Sequence, residues 1–122
     1  TTFPSEGIAR VDWVSGAFML VRREAFDVLG GFDEGFFLYW EDADFCKRAA
    51  DAGWITLYAP VSEVLHLTAR ASRHAPGPSL RAFHRSAFRY YWKHSTWVGR
   101  VWSPAVALGL AVRFAWRALA AR

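Results

Sequence analysis

The sequence predicts an α/β domain followed by a basic helical extension, and three observations carry that expectation. Two short runs rich in β-branched and aromatic residues, 11–21 and 54–59, flank two stretches of helical periodicity. Glycines stand where each helix should stop, at Gly30 or Gly31 and at Gly53. Charge also divides the chain: through Glu63, eleven acidic residues face five basic ones, whereas from Val64 onward there is no Asp or Glu and there are ten Arg or Lys residues.

Taken in order, residues 1–10 read as a loop broken by Pro4, Ser5 and Gly7. Residues 11–21 read as a strand whose small residues Ser15, Gly16 and Ala17 let something approach the backbone closely. RREAFDVLGG is a short helix, and residues 32–39 are a loop hinged at Gly35. The next helix starts near Glu41, with acids in its first turn, where the helix dipole favours negative charge. Asp44 and Arg48, one turn apart, can pair along it. WITLYA is the second strand, stopped by Pro60.

Beyond an irregular stretch at 61–73, RHAPGPS reads as a linker. A helix is predicted over 80–94, with Arg81, Arg85 and Arg89 on one face. Ser103 and Pro104 cap and open a last helix toward Arg122. The domain division expected is thus 1–73 and 74–122.

At 122 residues, one core is the expectation, and a composition 53% hydrophobic and 17% aromatic excludes low-hydrophobicity disorder. Cys46, the single cysteine, cannot form an internal disulfide and reads as a small core residue. No charged n-region followed by an apolar stretch marks a signal peptide, and the absence of a starting methionine suggests a fragment. The longest apolar run in the last helix is about a dozen residues, short of the roughly 20 that span a bilayer. With Trp102, Arg113, Trp116 and Arg117 suited to headgroup depth, this acid-free tail reads as a peripheral anchor on an anionic membrane surface, although a core helix of a larger protein has the same pattern.

The stretch FFLYWEDADFCKR sets Glu41 and Asp42 directly behind four aromatic rings. Two readings stand. The acids open a helix and the rings are core; or the rings, Tyr39 and Trp40 among them, form a wall for a sugar, beside which a carboxylate can serve as a base.

Residues 16–54, GAFMLVRREAFDVLGGFDEGFFLYWEDADFCKRAADAGW, resemble family-2 glycosyltransferases, the inverting GT-A enzymes, and especially their bacterial rhamnosyltransferase-like branch. The resemblance rests on the GFDE of Gly31 to Glu34, the aromatics that follow, and an EDxDxxxR pattern at Glu41, Asp42, Asp44 and Arg48. It implies the C-terminal, acceptor-side half of a Rossmann-like GT-A fold with basic amphipathic helices appended. It also implies transfer of a sugar, rhamnose being the one the branch suggests, from a nucleotide-diphosphate donor to a cell-envelope or lipid-linked glycan at the cytoplasmic membrane face.

Residue by residue, the resemblance makes Asp42 the general base and Glu41 its support or an acceptor ligand. Gly16 and Ala17 would lie beneath the donor sugar. Tyr39, Trp40 and Arg48 are candidate donor or acceptor contacts, with Arg48 also readable as the structural partner of Asp44. His66 is a candidate metal or phosphate ligand, or simply a structural histidine. A divalent cation, Mg²⁺ or Mn²⁺, is implied, held mostly by an upstream DxD-type motif missing here, so that these residues alone are expected to be inactive. The rival class is a non-catalytic membrane-surface or basic binding module. No nucleic-acid partner is expected, because no recognised motif accompanies the arginines.

Overall fold

In a computed structural model, residues 7–66 and 76–120 are described. Their elements are strand β1 (Ala9–Val11), a 3-10 turn (Gly16–Phe18), helix α1 (Arg23–Val28), helix α2 (Glu41–Asp51), strand β2 (Thr56–Tyr58), and helices α3 (Pro76–His94), α4 (Trp97–Val101) and α5 (Ser103–Ala120). The architecture is mixed: helices with one small antiparallel sheet, in which Ala9, Arg10 and Val11 oppose Tyr58, Leu57 and Thr56. Two compact units result. One comprises Thr1–Glu34 and Glu41–Leu67, the other Gly35–Trp40 and Thr68–Arg122.

In the first unit, α1 and α2 both end as their glycines predict. The Gly31 N–H reaches the Phe26 carbonyl at 2.9 Å, and the Trp54 N–H reaches that of Ala49 at 2.9 Å. Gly30, Gly31 and Gly53 take φ values of 71°, 71° and 86°, a left-handed backbone that costs glycine nothing. The core forms where α1 faces α2: Ala25, Phe45, Cys46 and Ala49 are buried, and the rings of Phe26, Phe32 and Phe45 stand 5.3–5.9 Å apart.

The strand predicted over 11–21 is a correction. Only Ala9–Val11 is extended in a ladder, because the partner strand β2 offers just three residues, and a strand without a partner leaves its amides unsatisfied. Beyond it the chain finds local partners instead: the Ser15 side chain accepts the Ala17 N–H at 3.3 Å and opens the 3-10 turn.

In the second unit, α3 packs against α5, and α4 also meets α5. The α3 helix begins at Pro76, inside the stretch expected to be a linker; prolines are tolerated in a first turn, where the missing N–H has no intrahelical partner to lose. The short α4 has no counterpart among the expected elements. It is opened by Thr96, whose hydroxyl accepts the Gly99 N–H at 3.3 Å. Segment Gly35–Trp40 lies along α3. Phe36 is buried, with the guanidinium of Arg89 5.2 Å from its ring centre and the ammonium of Lys93 5.6 Å from it. Among the described residues, no helix is long and apolar enough to cross a membrane.

Candidate functional site

Asp42 stands in the first turn of α2, half-buried, and its two oxygens face different parts of the first unit. Oδ1 accepts the N–H of Ala43 at 2.7 Å, within the helix start. Oδ2 accepts the N–H of Gly16 at 2.8 Å, across 26 residues of chain. The structure thus joins two residues singled out separately in the sequence. A Cβ on Gly16 would make ordinary van der Waals contact, 3.4 Å from Asp42 Cβ and 3.6 Å from Oδ2. Gly16 and Ala17 are themselves exposed, so the turn that fixes the carboxylate also presents open backbone beside it.

Glu41, one residue earlier, is half-buried, and its Oε2 is buried without a hydrogen-bond partner. A buried polar atom left unpaired costs about 1–3 kcal/mol, so an orphan oxygen at a helix start is a candidate ligand contact.

Arg48 is fully engaged within the fold. Its Nε donates to Asp44 Oδ2 at 2.8 Å, Nη1 to the Leu29 carbonyl at 2.7 Å and Nη2 to the Gly31 carbonyl at 2.7 Å. Asp44 is 0% exposed. The guanidinium therefore bolts the end of α1 onto α2, and with it the helix that carries Asp42.

Tyr39 and Trp40 belong to the second unit. Both take left-handed backbone, φ 65° and 71°, unusual for side chains of this bulk. Their rings pack onto α3: Tyr39 is 5.8 Å edge-on to Phe83, and Trp40 is 5.8 Å from Phe83 and 5.1 Å from Tyr90. The Trp40 Nε1 is buried without a partner. Ser86 of α3 donates to the Leu38 carbonyl at 2.9 Å and ties the segment down. Sequence reasoning missed Ser86 and Tyr90. Their signal was a small polar residue within an aromatic stripe of helical period.

His66 is exposed, and residues 67–72 of the motif around it lie outside the described residues. Among the described residues, no three His, Cys, Asp or Glu side chains converge in a way that could hold a metal ion. A hard divalent cation asks for several oxygen ligands. The described residues do not fit that demand.

Three comparisons set this geometry among known proteins. The family described as "Glycosyltransferase like family 2" matches residues 6–91. The N-acetylglucosaminyl-diphospho-decaprenol L-rhamnosyltransferase of Mycobacterium tuberculosis (strain ATCC 25618 / H37Rv) is 44% identical over 88 residues, 71% of this chain and 29% of that protein. Rhamnosyltransferase WbbL of Escherichia coli (strain K12) is 39% identical over 93 residues, 74% of this chain and 35% of that protein. The chain therefore spans only about a third of the length of these curated relatives. No solved structure matches it.

Proposed function

The chain belongs to glycosyltransferase-like family 2, and from that membership we propose that it is the acceptor-side part of an inverting sugar transferase, with Asp42 as general base. Family membership implies the GT-A fold; the described residues are read as its C-terminal half, with α3 to α5 appended. The donor is read as a nucleotide-diphosphate sugar, rhamnose by analogy with the relatives, and the acceptor as a lipid-linked or cell-envelope glycan.

The observation that carries this reading is the Gly16–Asp42 hydrogen bond. A base must be held in one orientation while the acceptor hydroxyl approaches. Here two backbone amides hold the carboxylate, one per oxygen, and it remains half-exposed. In the proposed step an oxygen of Asp42 takes the proton of the acceptor hydroxyl as the hydroxyl oxygen attacks the anomeric carbon. The bond from that carbon to the diphosphate breaks, the diphosphate leaves with the electron pair, and the configuration inverts.

The other residues follow from their surroundings. The orphan Oε2 of Glu41 suits a second acceptor hydroxyl. Gly16 and Ala17 offer the side-chain-poor backbone over which a sugar can lie. Tyr39 and Trp40, whose rings pack on α3 in the second unit, are read as aromatic contacts of that unit alone. Arg48, with Nε, Nη1 and Nη2 all occupied, is assigned to positioning α2 rather than to touching substrate. The divalent cation that family-2 enzymes generally use is read as held by a DxD-type motif in a part of a longer protein outside this chain, and no step above runs through it.

We further propose peripheral binding at the cytoplasmic face of an anionic membrane. Support comes from the exposed apolar residues Trp97, Val101, Leu108, Val112, Trp116 and Leu119 on α4 and α5, together with the acid-free charge of the tail.

The test of the base is Asp42→Asn in the full-length enzyme. Transfer should fall on the order of 10²–10⁴-fold, with donor binding and the circular dichroism spectrum unchanged. Transfer at the normal rate would remove Asp42 from that role.

A further inference from the structure

Between α3 and α5 runs a shallow, open groove of about 340 Å³. Its chemistry is divided. Phe88, Leu110 and Phe114 supply apolar wall, while Arg81 and Arg85, exposed and one turn apart on α3, supply two guanidinium groups.

His84 also lines the groove and is only 8% exposed. Its Nδ1 lies 2.8 Å from the Leu80 carbonyl, which can only accept, so Nδ1 carries the hydrogen. Its Nε2 is buried and has no hydrogen-bond partner. The ring is held edge-on to Phe83 at 5.5 Å and Phe114 at 5.6 Å. A rigidly held imidazole with one unanswered nitrogen, beside two cations and an apolar wall, is an arrangement whose polar groups want a ligand. From Val64 onward the sequence holds no carboxylate to occupy those arginines.

We propose that this groove binds the phosphate end of an anionic amphiphile. Arg81 and Arg85 take phosphate oxygens, since a guanidinium fork matches them in pairs, and Phe88, Leu110 and Phe114 receive the first carbons of the apolar chain. The P–OH of a singly protonated phosphate donates to the lone pair at His84 Nε2. The proposal rests on the transferase reading for its purpose: it assigns the phosphate-bearing lipid end of a lipid-linked acceptor to α3 and α5.

The experiment titrates the full-length protein with dodecyl phosphate below its micelle-forming concentration, with inorganic phosphate and dodecyl maltoside as the other arms. Affinity is read by calorimetry and the His84 imidazole by its ¹⁵N resonance. Dodecyl phosphate is expected to saturate, to move the His84 signal, and to bind at least about tenfold more weakly to Arg81→Gln/Arg85→Gln. Both arginines are exposed, so this variant should fold, and a helical dichroism spectrum checks it. His84→Phe, which keeps the ring contacts, provides a second variant and should weaken binding without loss of helix.

Equal affinity for dodecyl maltoside would reduce the groove to an apolar patch. Equal affinity for inorganic phosphate would make it a plain anion site. Unchanged binding by both variants would also overturn the proposal. Binding is read without turnover, so the two readings separate: if the full-length parent transfers no sugar while dodecyl phosphate still binds, only the transferase reading fails, and if Asp42→Asn transfers sugar normally, only the base assignment fails.

Discussion

The amide of Gly16 and the carboxylate of Asp42, 26 residues apart in the chain, meet at 2.8 Å and fix the start of α2 against the Gly16–Phe18 turn. Since Gly16 is the first residue of that turn, its side-chain space and its N–H can be varied separately. A Cβ there makes only ordinary contact with Asp42, at 3.4 Å. Gly16→Ala should therefore keep the Asp42 hydrogen bond and the fold, so that a fall in transfer reports the methyl group beneath the sugar. Gly16→Pro suits a first-turn position, and Ser15 already has the extended backbone that precedes proline (φ −69°, ψ 136°). It removes the donor and puts the ring where the hydrogen bond ran. Transfer should then fall toward that of Asp42→Asn, with a stability loss of about 1.5–3 kcal/mol from the missing hydrogen bond to the carboxylate; paired assays of rate and melting check this.

Arg48 is the bolt between α1 and α2, and its charge serves a carboxylate with no solvent exposure. Arg48→Ala should destabilise the protein by about 3–5 kcal/mol, because a buried charge loses its counter-ion. Arg48→Lys should recover only part of that loss, since an ammonium cannot reproduce the fork that reaches both the Leu29 and Gly31 carbonyls. Urea denaturation gives the ranking. A lysine variant as stable as the parent would contradict it.

Gly35 is packed under a side chain. A Cβ at this position would lie 2.0 Å from Arg89 Nη2 and 2.1 Å from its Cζ, and Arg89 in turn sits over the Phe36 ring at 5.2 Å. Arg89 is exposed and its guanidinium can swing aside, so Gly35→Ala should cost about 0.5–1 kcal/mol, the loss of an exposed cation–π contact on Phe36. In an Arg89→Ala background the same substitution should cost much less. A double-mutant cycle reads the coupling directly, and additive effects would refute it.

The apolar face of α4 and α5 yields a fourth expectation. Val112 is 62% exposed and Trp116 66% exposed, one turn apart. Val112→Asp/Trp116→Asp should leave the fold intact and abolish retention on vesicles containing phosphatidylglycerol. The parent protein should be retained there, and less so as salt rises, because juxtaposed Arg and Lys contribute about 1 kcal/mol each near an anionic surface. Equal retention on pure phosphatidylcholine would argue against the charge contribution.

Part of this architecture is legible in local chemistry. A helix ending in glycine needs no tertiary information, because only glycine takes the left-handed backbone at little cost; Gly30, Gly31 and Gly53 are read correctly from the sequence alone. Cys46 in the core and the Asp44–Arg48 pair follow from helical period in the same way. The dense EDxDxxxR pattern sufficed to point to the family.

What the sequence alone determined, then, is where α1 and α2 stop, that Cys46 lies in the core, and the family. The tertiary structure decided whatever depends on a distant partner. Strand β1 is three residues long because β2 is, and no propensity in residues 11–21 encodes the length of residues 56–58. Asp42 is held by Gly16, and Arg48 spans to the end of α1, because loop closure brings backbone groups within reach of side chains whose own neighbours in sequence gave no sign of them. Hydrogen bonds act over about 3 Å in space, whatever the separation along the chain.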